Sequence, residues 1–352
     1  MHECMIQYNT VDHDILLTIL GNDFGLSGTV LNWIKSFLTS RIQIVAVAGK
    51  NSQSITVIFG VPQGSVLGPL LYILYTSDIV NIIKRHGFQV HLYADDSQLY
   101  IHIQRIEIQR VLRLMEACVA EIQVWSGSRR LKLNTSKTEF IVFDRNESTN
   151  IILQLGSAAV KNAQVVLDLG VILDSCLSLK ANVSAITKSC FYHLRRLRLV
   201  KNYLDNQSVM KLVYAFILSR IDRCNSILVG LPDVTVAPIT RVLHAAARLI
   251  SGTKRHEHIT PILRELHWLP LQSRIRFKLC VLMHGIKYNH CPDYLRNDVV
   301  LCSEVPTLAR LRSSTHGEFV KRRANFKYGK RAFSVAGPNA WNKLSTELKI
   351  TM

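Results

Sequence analysis

The apolar residues near the start of the chain recur with a helical period. Thr10 can cap a helix that ends at Gly21. Its predicted apolar face consists of Ile15, Leu16, Ile19 and Leu20. Ser27 then precedes a second run with the same period, which extends to Leu38. The sequence therefore opens with two predicted amphipathic helices.

Two β-branched runs follow these helices, at residues 42–48 and 55–59. They are separated by a short polar segment that includes Gly49, so the pattern predicts a hairpin. Glycine and proline recur through residues 59–69, which predicts a loop. An apolar helix is expected after the loop and to end near Ile83.

A second hairpin is predicted where Val90 and Leu92 alternate with polar residues. Two aspartates lie at its turn and residues 99–103 form the returning strand. A helical period resumes over residues 106–125. Further strands are expected around residues 138–143 and 165–173, and from about Ala181 the chain reads as helices with basic faces.

Composition indicates a folded, basic protein. Apolar residues make up 48% and charged residues 19%, which excludes a disordered chain. The 43 lysines and arginines against 25 aspartates and glutamates give a net charge of +18. Such an excess favours a polyanionic partner, with nucleic acid first. A generically basic protein and a membrane-surface binder remain the alternatives on charge alone.

Eight cysteines are scattered without the close pairs of zinc ribbons or the density of secreted frameworks, so they are expected to be reduced and mostly buried. A zinc site from Cys280, His284, His290 and Cys291 is the weaker alternative to core packing. No apolar run reaches the roughly 18 to 20 residues that span a bilayer. The N-terminus also lacks a signal-peptide pattern, which favours a nuclear or cytoplasmic protein that is not secreted.

Candidate chemistry is concentrated at the second predicted hairpin, whose tip is Tyr93, Ala94, Asp95 and Asp96. Two adjacent carboxylates repel each other, and a divalent cation relieves that repulsion. Mg²⁺ prefers such oxygens together with substrate phosphates. An Asp-Asp pair alone is an ordinary turn, because aspartate suits turns. Gly64, however, lies 31 residues before Asp95 in a loop where glycine lets the backbone approach a template base or a nucleotide.

Together the two motifs resemble the reverse transcriptases of LINE-type (non-LTR) retrotransposons. They are Gly-Val-Pro-Gln-Gly-Ser at residues 60–65 and Tyr-Ala-Asp-Asp at residues 93–96. Further similarity to these elements is found at Trp125, at Leu133 and Asn134, at residues 136–139, at residues 169–171 with Asp174, and at residues 222–231, 245–250, 266–270 and 336–341. The resemblance thus covers nearly the whole chain.

The resemblance implies an α+β fold: a right-hand palm of antiparallel sheet and helices, then a helical thumb and a C-terminal region. The corresponding domains would be an incomplete palm at residues 1–180 without fingers, a thumb at 181–270 and a basic C-terminal region of the retroelement at 271–352. It also implies RNA-directed DNA synthesis by two-metal nucleotidyl transfer with Mg²⁺. The partners would be an RNA template, a DNA primer and deoxynucleotides, with no membrane.

The resemblance assigns roles to individual residues as well. Asp95 would bind metal with Asp96 as its neighbour. Lys137 would be an acid for the leaving pyrophosphate, although a solvated or phosphate-contacting lysine is equally open. The residues implied to contact template or nucleotide are Tyr8, Pro62, Gln63, Gly64 and Tyr93.

The chain departs from the family pattern at the first palm strand. An aromatic residue follows the family's other metal-binding aspartate by five positions, so Tyr8 aligns with the aromatic and Glu3 with the aspartate. The extra methylene of glutamate moves the carboxylate by about an ångström, which can lower the rate about a hundredfold. Little chain precedes Glu3, so we expect a truncated, poorly anchored strand, a weak metal ligand and an inactive polymerase.

Three functions are consistent with the sequence. The first is an Mg²⁺-dependent RNA-directed DNA polymerase. The second is a retroelement remnant that binds nucleic acid through its basic helices without chemistry. The third is a decayed open reading frame with no selected role.

Overall fold

The computed structural model describes residues 2–6, 10–62, 64–144, 151–310, 317–326 and 328–351, and for residues 2–6 it describes the backbone alone. The chain divides into two compact units. The first comprises Met1–Asp168 and Asp174–Cys176, and the second comprises Leu169–Leu173 and Leu177–Met352. The change of unit thus falls a few residues before the boundary expected near Ala181.

The first unit contains helices and short antiparallel strands. Its helices are α1 His13–Asn22, α2 Gly28–Leu38, α3 Leu67–Tyr75, α4 Ile79–Arg85 and α5 Ile108–Ser128. Its strands are β1 His2–Ile6, β2 Arg41–Gln43, β3 Ala46–Val47, β4 Lys50–Asn51, β5 Ile55–Val57, β6 Gln89–Tyr93, β7 Asp96–Tyr100, β8 Lys132–Leu133, β9 Ile152–Leu155, β10 Ala158–Lys161 and β11 Val165–Asp168. Strand β12, Val171–Asp174, lies where the chain changes unit.

The start of α1 differs from the expectation that Thr10 caps it. The cap is Asp12, whose carboxylate accepts hydrogen bonds from the backbone N–H groups of Asp14 (3.0 Å) and Ile15 (3.1 Å). A carboxylate at this position satisfies two donors that have no partner within the helix. The helix therefore begins at His13.

The apolar helix expected to end near Ile83 is interrupted and forms α3 and α4. The Thr76 hydroxyl donates to the Tyr72 carbonyl (3.0 Å), and the Ser77 hydroxyl donates to the Leu74 carbonyl (2.9 Å). Such local side-chain bonds compete with the helical backbone ladder. Apolar periodicity alone does not predict this interruption.

Both predicted hairpins form. In the first, β2 pairs with β5, and β3 pairs with β4 around a turn in which Ala48 (φ 50°) and Gly49 (φ 78°) are both left-handed, as tight hairpin turns require. In the second, β6 pairs with β7. The prediction of a strand at 138–143 is wrong. The Thr138 hydroxyl donates to the Asn134 carbonyl (3.1 Å) and closes a turn, and Phe140 forms an isolated bridge to Asn162.

The sheet that carries the second hairpin has the strand order β6-β7-β1-β8 and is antiparallel throughout. One apolar core lies among α4, α5 and this sheet, with Leu99, Ile122 and Leu153 fully buried. A second core joins α1, α2 and α3 through residues such as Leu16 and Tyr72. The sheet is therefore held on a packed, rigid base.

The second unit is helical in its described part, as expected from about Ala181 onward. Its helices are α6 Lys180–Val200, α7 Asn206–Val213, α8 Ser219–Asp222, α9 Asp233–Ser251, α10 Thr260–Glu265, α11 Leu271–Lys287, α12 Asp293–Arg296, α13 Phe333–Asn342 and α14 Thr346–Thr351, and a π-helical turn, Tyr214–Leu218, joins α7 to α8. None of the helices that the structure describes is long and apolar enough to cross a bilayer.

The motif segments of the second unit lie largely in its cores. Ala246 and Ala247 in α9 are fully buried. Cys280 is also buried, in a core with Trp341, whose indole N–H donates to the Gly317 carbonyl (3.0 Å). The similarity noted at residues 245–250 and 336–341 therefore falls on residues that pack the unit. The separate thumb at 181–270 and C-terminal region at 271–352 stay a prediction.

Candidate active site

The tip of the β6–β7 hairpin is a two-residue turn of Ala94 and Asp95, and Tyr93 pairs with Asp96 across it. Asp95 therefore lies in the turn, whereas Asp96 is the first residue of β7. Both are partly exposed, and Tyr93 is 65% exposed. Ala94 has a φ of 54°, a conformation that costs an L-residue about 1–2 kcal/mol and persists when paired strands impose it. The hairpin thus presents two adjacent carboxylates from a fixed backbone.

Strand β7 has one buried and one polar face. Ser97 and Leu99 are buried, whereas Asp96 and Gln98 point to the other side of the sheet. The Gln98 amide donates to the carboxylate of Asp168, at the end of β11. A further acidic residue is therefore tied to the face that carries Asp96. The sequence pattern did not single out Asp168, because a 70-residue separation hides the contact.

Strand β1 lies inside the sheet, between β7 and β8. Cys4 pairs with Asp96 and Glu3 pairs with Ser97, while Met5 and Ile6 pair with β8. The expectation of an unanchored strand is wrong for the backbone, because hydrogen bonding holds it on both edges. The backbone of Glu3 is one register position from that of Asp96; its side chain lies outside the described part, as do Tyr8 and Gln63.

The first residue of the glycine-containing loop is held by contacts from distant parts of the chain. The Gly60 carbonyl accepts hydrogen bonds from His13 Nε2 (2.9 Å) and from the Arg41 guanidinium (3.1 Å). The Gly60 N–H donates to the Val11 carbonyl (2.7 Å). Because a carbonyl only accepts, the buried His13 carries its proton on Nε2. His13 and Arg41 thus position the loop without belonging to its motif.

A second network supports the same region. The Asp12 carboxylate pairs with the Arg130 guanidinium at 2.8 Å, and this guanidinium lies over the Phe59 ring, 4.7 Å from its centroid. The Tyr75 hydroxyl donates to the Arg129 carbonyl (2.6 Å). Burial raises the pKa of the Tyr75 phenol, so it stays protonated and remains a donor at neutral pH. Phe59, which leads into the loop, is thereby held against α1 and α5.

The far end of the loop closes on the start of α3. The Ser65 hydroxyl donates to the Pro62 carbonyl (2.7 Å) and accepts from the Gly68 N–H (3.0 Å). Gly64 has a φ of 80°, is exposed and has open space around the position of a Cβ atom. Its backbone conformation therefore requires glycine, and the surrounding space leaves room for a ligand.

We expect Gly68→Ala to disturb this loop. A Cβ at residue 68 would lie 3.0 Å from the Pro62 carbonyl oxygen and 3.1 Å from Ser65 Oγ, so the loop would have to shift. The matched control is Gly127→Ala in α5, where a Cβ meets nothing within 4 Å. Alanine there should raise the free energy of unfolding by about 0.5–1 kcal/mol, whereas Gly68→Ala should lower it. Denaturant unfolding compares the two, and equal stabilisation by both would contradict the loop geometry.

Lys137 lies in an exposed turn after β8. Its N–H donates to the Asn134 carbonyl (3.1 Å), and the Ser136 hydroxyl donates to the Asn134 side chain (2.6 Å). Through β8 the turn is linked to β1. The proposed role of Lys137 as an acid stays a prediction.

Paired carboxylates are the chemical requirement for a divalent cation here, and Asp95 and Asp96 meet it with hard oxygen donors on a rigid turn. Among the side chains that the structure describes, no three His, Cys, Asp or Glu residues form a cluster suited to a metal ion. The Glu3 side chain is not in that set. The described residues thus place two adjacent carboxylates, those of Asp95 and Asp96, at the hairpin tip.

Comparison with known proteins agrees with these motifs. Residues 5–173 match the family described as reverse transcriptase (RNA-dependent DNA polymerase). The chain is 28% identical over 161 residues to an RNA-directed DNA polymerase from the mobile element jockey of Drosophila melanogaster, which covers 44% of this chain and 17% of that protein. It is 29% identical over 183 residues to a probable RNA-directed DNA polymerase from transposon BS of the same species, covering 48% of this chain and 19% of the relative.

A third relative, the probable RNA-directed DNA polymerase from transposon X-element of Drosophila melanogaster, is 26% identical over 242 residues, or 66% of this chain and 26% of that protein. The chain thus spans 17–26% of the length of these three curated relatives. The matched family region contains both the loop around Gly64 and the turn at Asp95. Residues 5–173 therefore match a reverse transcriptase domain, and the chain is similar to the RNA-directed DNA polymerases of LINE-type (non-LTR) mobile elements.

Proposed function

We propose that the first unit is the palm of an RNA-directed DNA polymerase and that Asp95 is its principal metal ligand. The observation that carries the proposal is the hairpin tip, where Asp95 and Asp96 follow one another beside the paired strand β1. A helical thumb in the second unit is part of the same proposal. The palm assignment is supported by the match over residues 5–173, and the thumb assignment by the helices that follow it in the second unit.

Reverse transcriptases use divalent metal ions, and we propose Mg²⁺ for this chain because carboxylates and phosphates are its preferred ligands. When bound, the metal would increase the nucleophilicity of a primer 3′ hydroxyl and stabilise the leaving pyrophosphate. Asp95 and Asp96 would hold it on the hairpin tip. Glu3 would be a weak third ligand from β1, where its backbone pairs with Ser97 and that of Cys4 pairs with Asp96.

The remaining residues would orient substrates. Gly64, exposed and left-handed, leaves space for a template base or an incoming nucleotide, and Pro62 and Gln63 would contact the same ligand. Tyr93 and Tyr8 would contact the nucleotide, and Lys137 would give a proton to pyrophosphate. His13 and Arg41 both donate hydrogen bonds to the Gly60 carbonyl, and these bonds would hold the loop in place for contact with the ligand.

The substrates we propose are an RNA template, a DNA primer and deoxynucleotides, with action in the nucleus or cytoplasm. Primer extension on an RNA template with Mg²⁺ tests the proposal on the full chain. Incorporation that requires both the template and Mg²⁺ would support it. Absence of incorporation across Mg²⁺ and Mn²⁺ would overturn it for this chain.

The distribution of charge favours a second function, the binding of nucleic acid without chemistry. Residues 177–352 contain 29 lysines and arginines against 10 aspartates and glutamates, whereas residues 1–176 contain 14 against 15. The whole basic excess therefore lies in the helical unit. Cations concentrated in this way attract phosphates and exchange with their counterions.

Binding of a labelled 20-nucleotide RNA should weaken steeply with salt. Four phosphate contacts predict a fall of about 50-fold in affinity between 50 and 200 mM salt, because each contact releases counterions. Fluorescence anisotropy at several salt concentrations gives the slope. Affinity that stays constant over this range would exclude the second function.

A further inference from the structure

One face of helix α6 combines exposed basic and aromatic residues. Lys188, Tyr192, Arg195 and Arg196 are exposed, and their spacing puts them on the side opposite the buried residues of the helix, such as Leu194. No aspartate or glutamate occurs between residues 175 and 204, although this segment contains six lysines and arginines. The face is therefore cationic without local neutralisation.

Aromatic rings continue this face toward the π-helical turn. The Tyr192 ring meets the His193 ring edge-on at 5.3 Å, and the His193 ring stacks on Phe216 at 5.1 Å with 10° between the planes. Phe216 lies inside the π-helical turn, a feature that recurs at functional sites. Tyr192 is 49% exposed and Phe216 is 38% exposed, so both rings keep accessible surface.

Two arginines flank these rings and fix them. The Arg196 guanidinium lies over the Tyr192 ring, 5.6 Å from its centroid, and donates to the Tyr192 hydroxyl (3.0 Å). Arg220 donates to the Phe216 carbonyl (2.8 Å). Partial burial, with the charges of Arg220 and Arg196, lowers the pKa of His193, so its ring is neutral at neutral pH and stacks as an aromatic.

The two acidic residues that follow α6 most closely in sequence both have hydrogen-bond partners within the chain. Asp222, in α8, pairs with Arg274 at 2.6 Å, and its other oxygen accepts from the Asn225 amide (3.3 Å). Asp205 caps α7 by accepting from the Ser208 N–H (2.7 Å). Among the described residues, neither Arg196 nor Arg220 forms an ion pair with a carboxylate, so both can contact an anionic ligand.

We propose that Tyr192, His193, Arg196, Phe216 and Arg220 form a stacking platform for single-stranded nucleic acid. Unpaired bases would stack on the Tyr192 and Phe216 rings, and the flanking arginines would contact phosphates. A duplex hides its base faces, so exposed rings favour a single strand. The platform deepens the second proposed function and requires no metal at Asp95.

The test is binding of a labelled 12-nucleotide oligo(dT), which does not pair with itself, and of a 12-base-pair duplex to the full chain. Tyr192→Leu and Phe216→Leu keep apolar bulk but remove stacking. Each should weaken binding of the single strand by at least about fivefold, with an unchanged salt slope and duplex affinity. Arg196→Gln should instead reduce the salt slope by about 0.7.

Arg198→Gln is the matched control, because Arg198 is exposed on the same helix but on another side. It should alter single-strand binding less than Arg196→Gln does. Circular dichroism and thermal melting check that every variant is folded. Single-strand binding within twofold of wild type for both leucine variants, or an equal loss for duplex and single strand, overturns the platform.

Asp95→Ala separates the platform from the proposed polymerase. This variant should bind oligo(dT) like the wild-type chain even when it extends no primer. Binding that disappears with Asp95→Ala in a folded protein would overturn the platform's independence. Extension that fails while stacking-dependent binding persists would overturn the polymerase alone.

Discussion

Asp95→Ala is expected to lower Mg²⁺-dependent primer extension by at least about a hundredfold. Displacement of a catalytic group by about 1 Å already costs about this much, and the substitution removes a metal-binding carboxylate outright. Asp95 lies in the turn itself, next to Ala94 with its left-handed backbone, so the substitution leaves Asp96 as the one carboxylate of the hairpin tip. Single-nucleotide incorporation on an RNA template measures the effect.

Asp23→Ala is the control for this experiment. Asp23 is an exposed aspartate just after α1, so its removal changes the net charge equally without touching the hairpin. Its extension rate should equal that of the wild-type chain. Synthesis that survives Asp95→Ala would exclude this turn as the catalytic site.

Local patterns predicted the elements that carry the site. Alternation around Val90 and the aspartates that follow indicated the β6–β7 hairpin, and the glycines of residues 60–65 indicated the loop. Both features arise within a few residues of sequence, so periodicity and turn chemistry are sufficient to predict them. The change to basic helices expected near Ala181 stays a prediction of a domain boundary; the two compact units of the structure change at Leu169 and at Leu177.

Contacts over long sequence separations were not predicted. His13 and Gly60 are 47 residues apart, and Gln98 and Asp168 are 70 apart, so no local pattern links them. His13 lies in the predicted first turn of α1, but no local pattern reveals that its ring holds a loop carbonyl. The break between α3 and α4 also escaped prediction; it falls at Thr76, whose hydroxyl donates to the Tyr72 carbonyl.

The register of β1 changes the expectation about Glu3. A strand without support would place a carboxylate poorly whatever the length of the side chain. Strand β1, however, pairs with β7 through residues 2–4 and with β8 through residues 5–6, and Glu3 lies opposite Ser97, next to the Cys4–Asp96 pair. The backbone is therefore paired, but Glu3 occupies the register position opposite buried Ser97, whereas Cys4 occupies the position opposite Asp96. Because a shift of one residue moves a strand position to the other face of the sheet, two differences from the family pattern remain, this register and one methylene group. The methylene group alone corresponds to a shift of about an ångström and a rate loss of about a hundredfold.

Glu3→Asp tests the methylene difference alone, because it shortens the side chain while keeping the charge. We expect it to raise the rate of primer extension by about tenfold to a hundredfold if Glu3 binds the metal from its position opposite Ser97. Glu3→Gln keeps the length but removes the charge, and should abolish residual extension. Asp14→Glu is the matched control: it makes a one-methylene change at an exposed carboxylate of α1 and should have no effect. An aspartate variant no faster than wild type, or a glutamine variant equally active, would mean that the third carboxylate comes from elsewhere, and Asp168, tied through Gln98 to the face of Asp96, would be the next position to substitute.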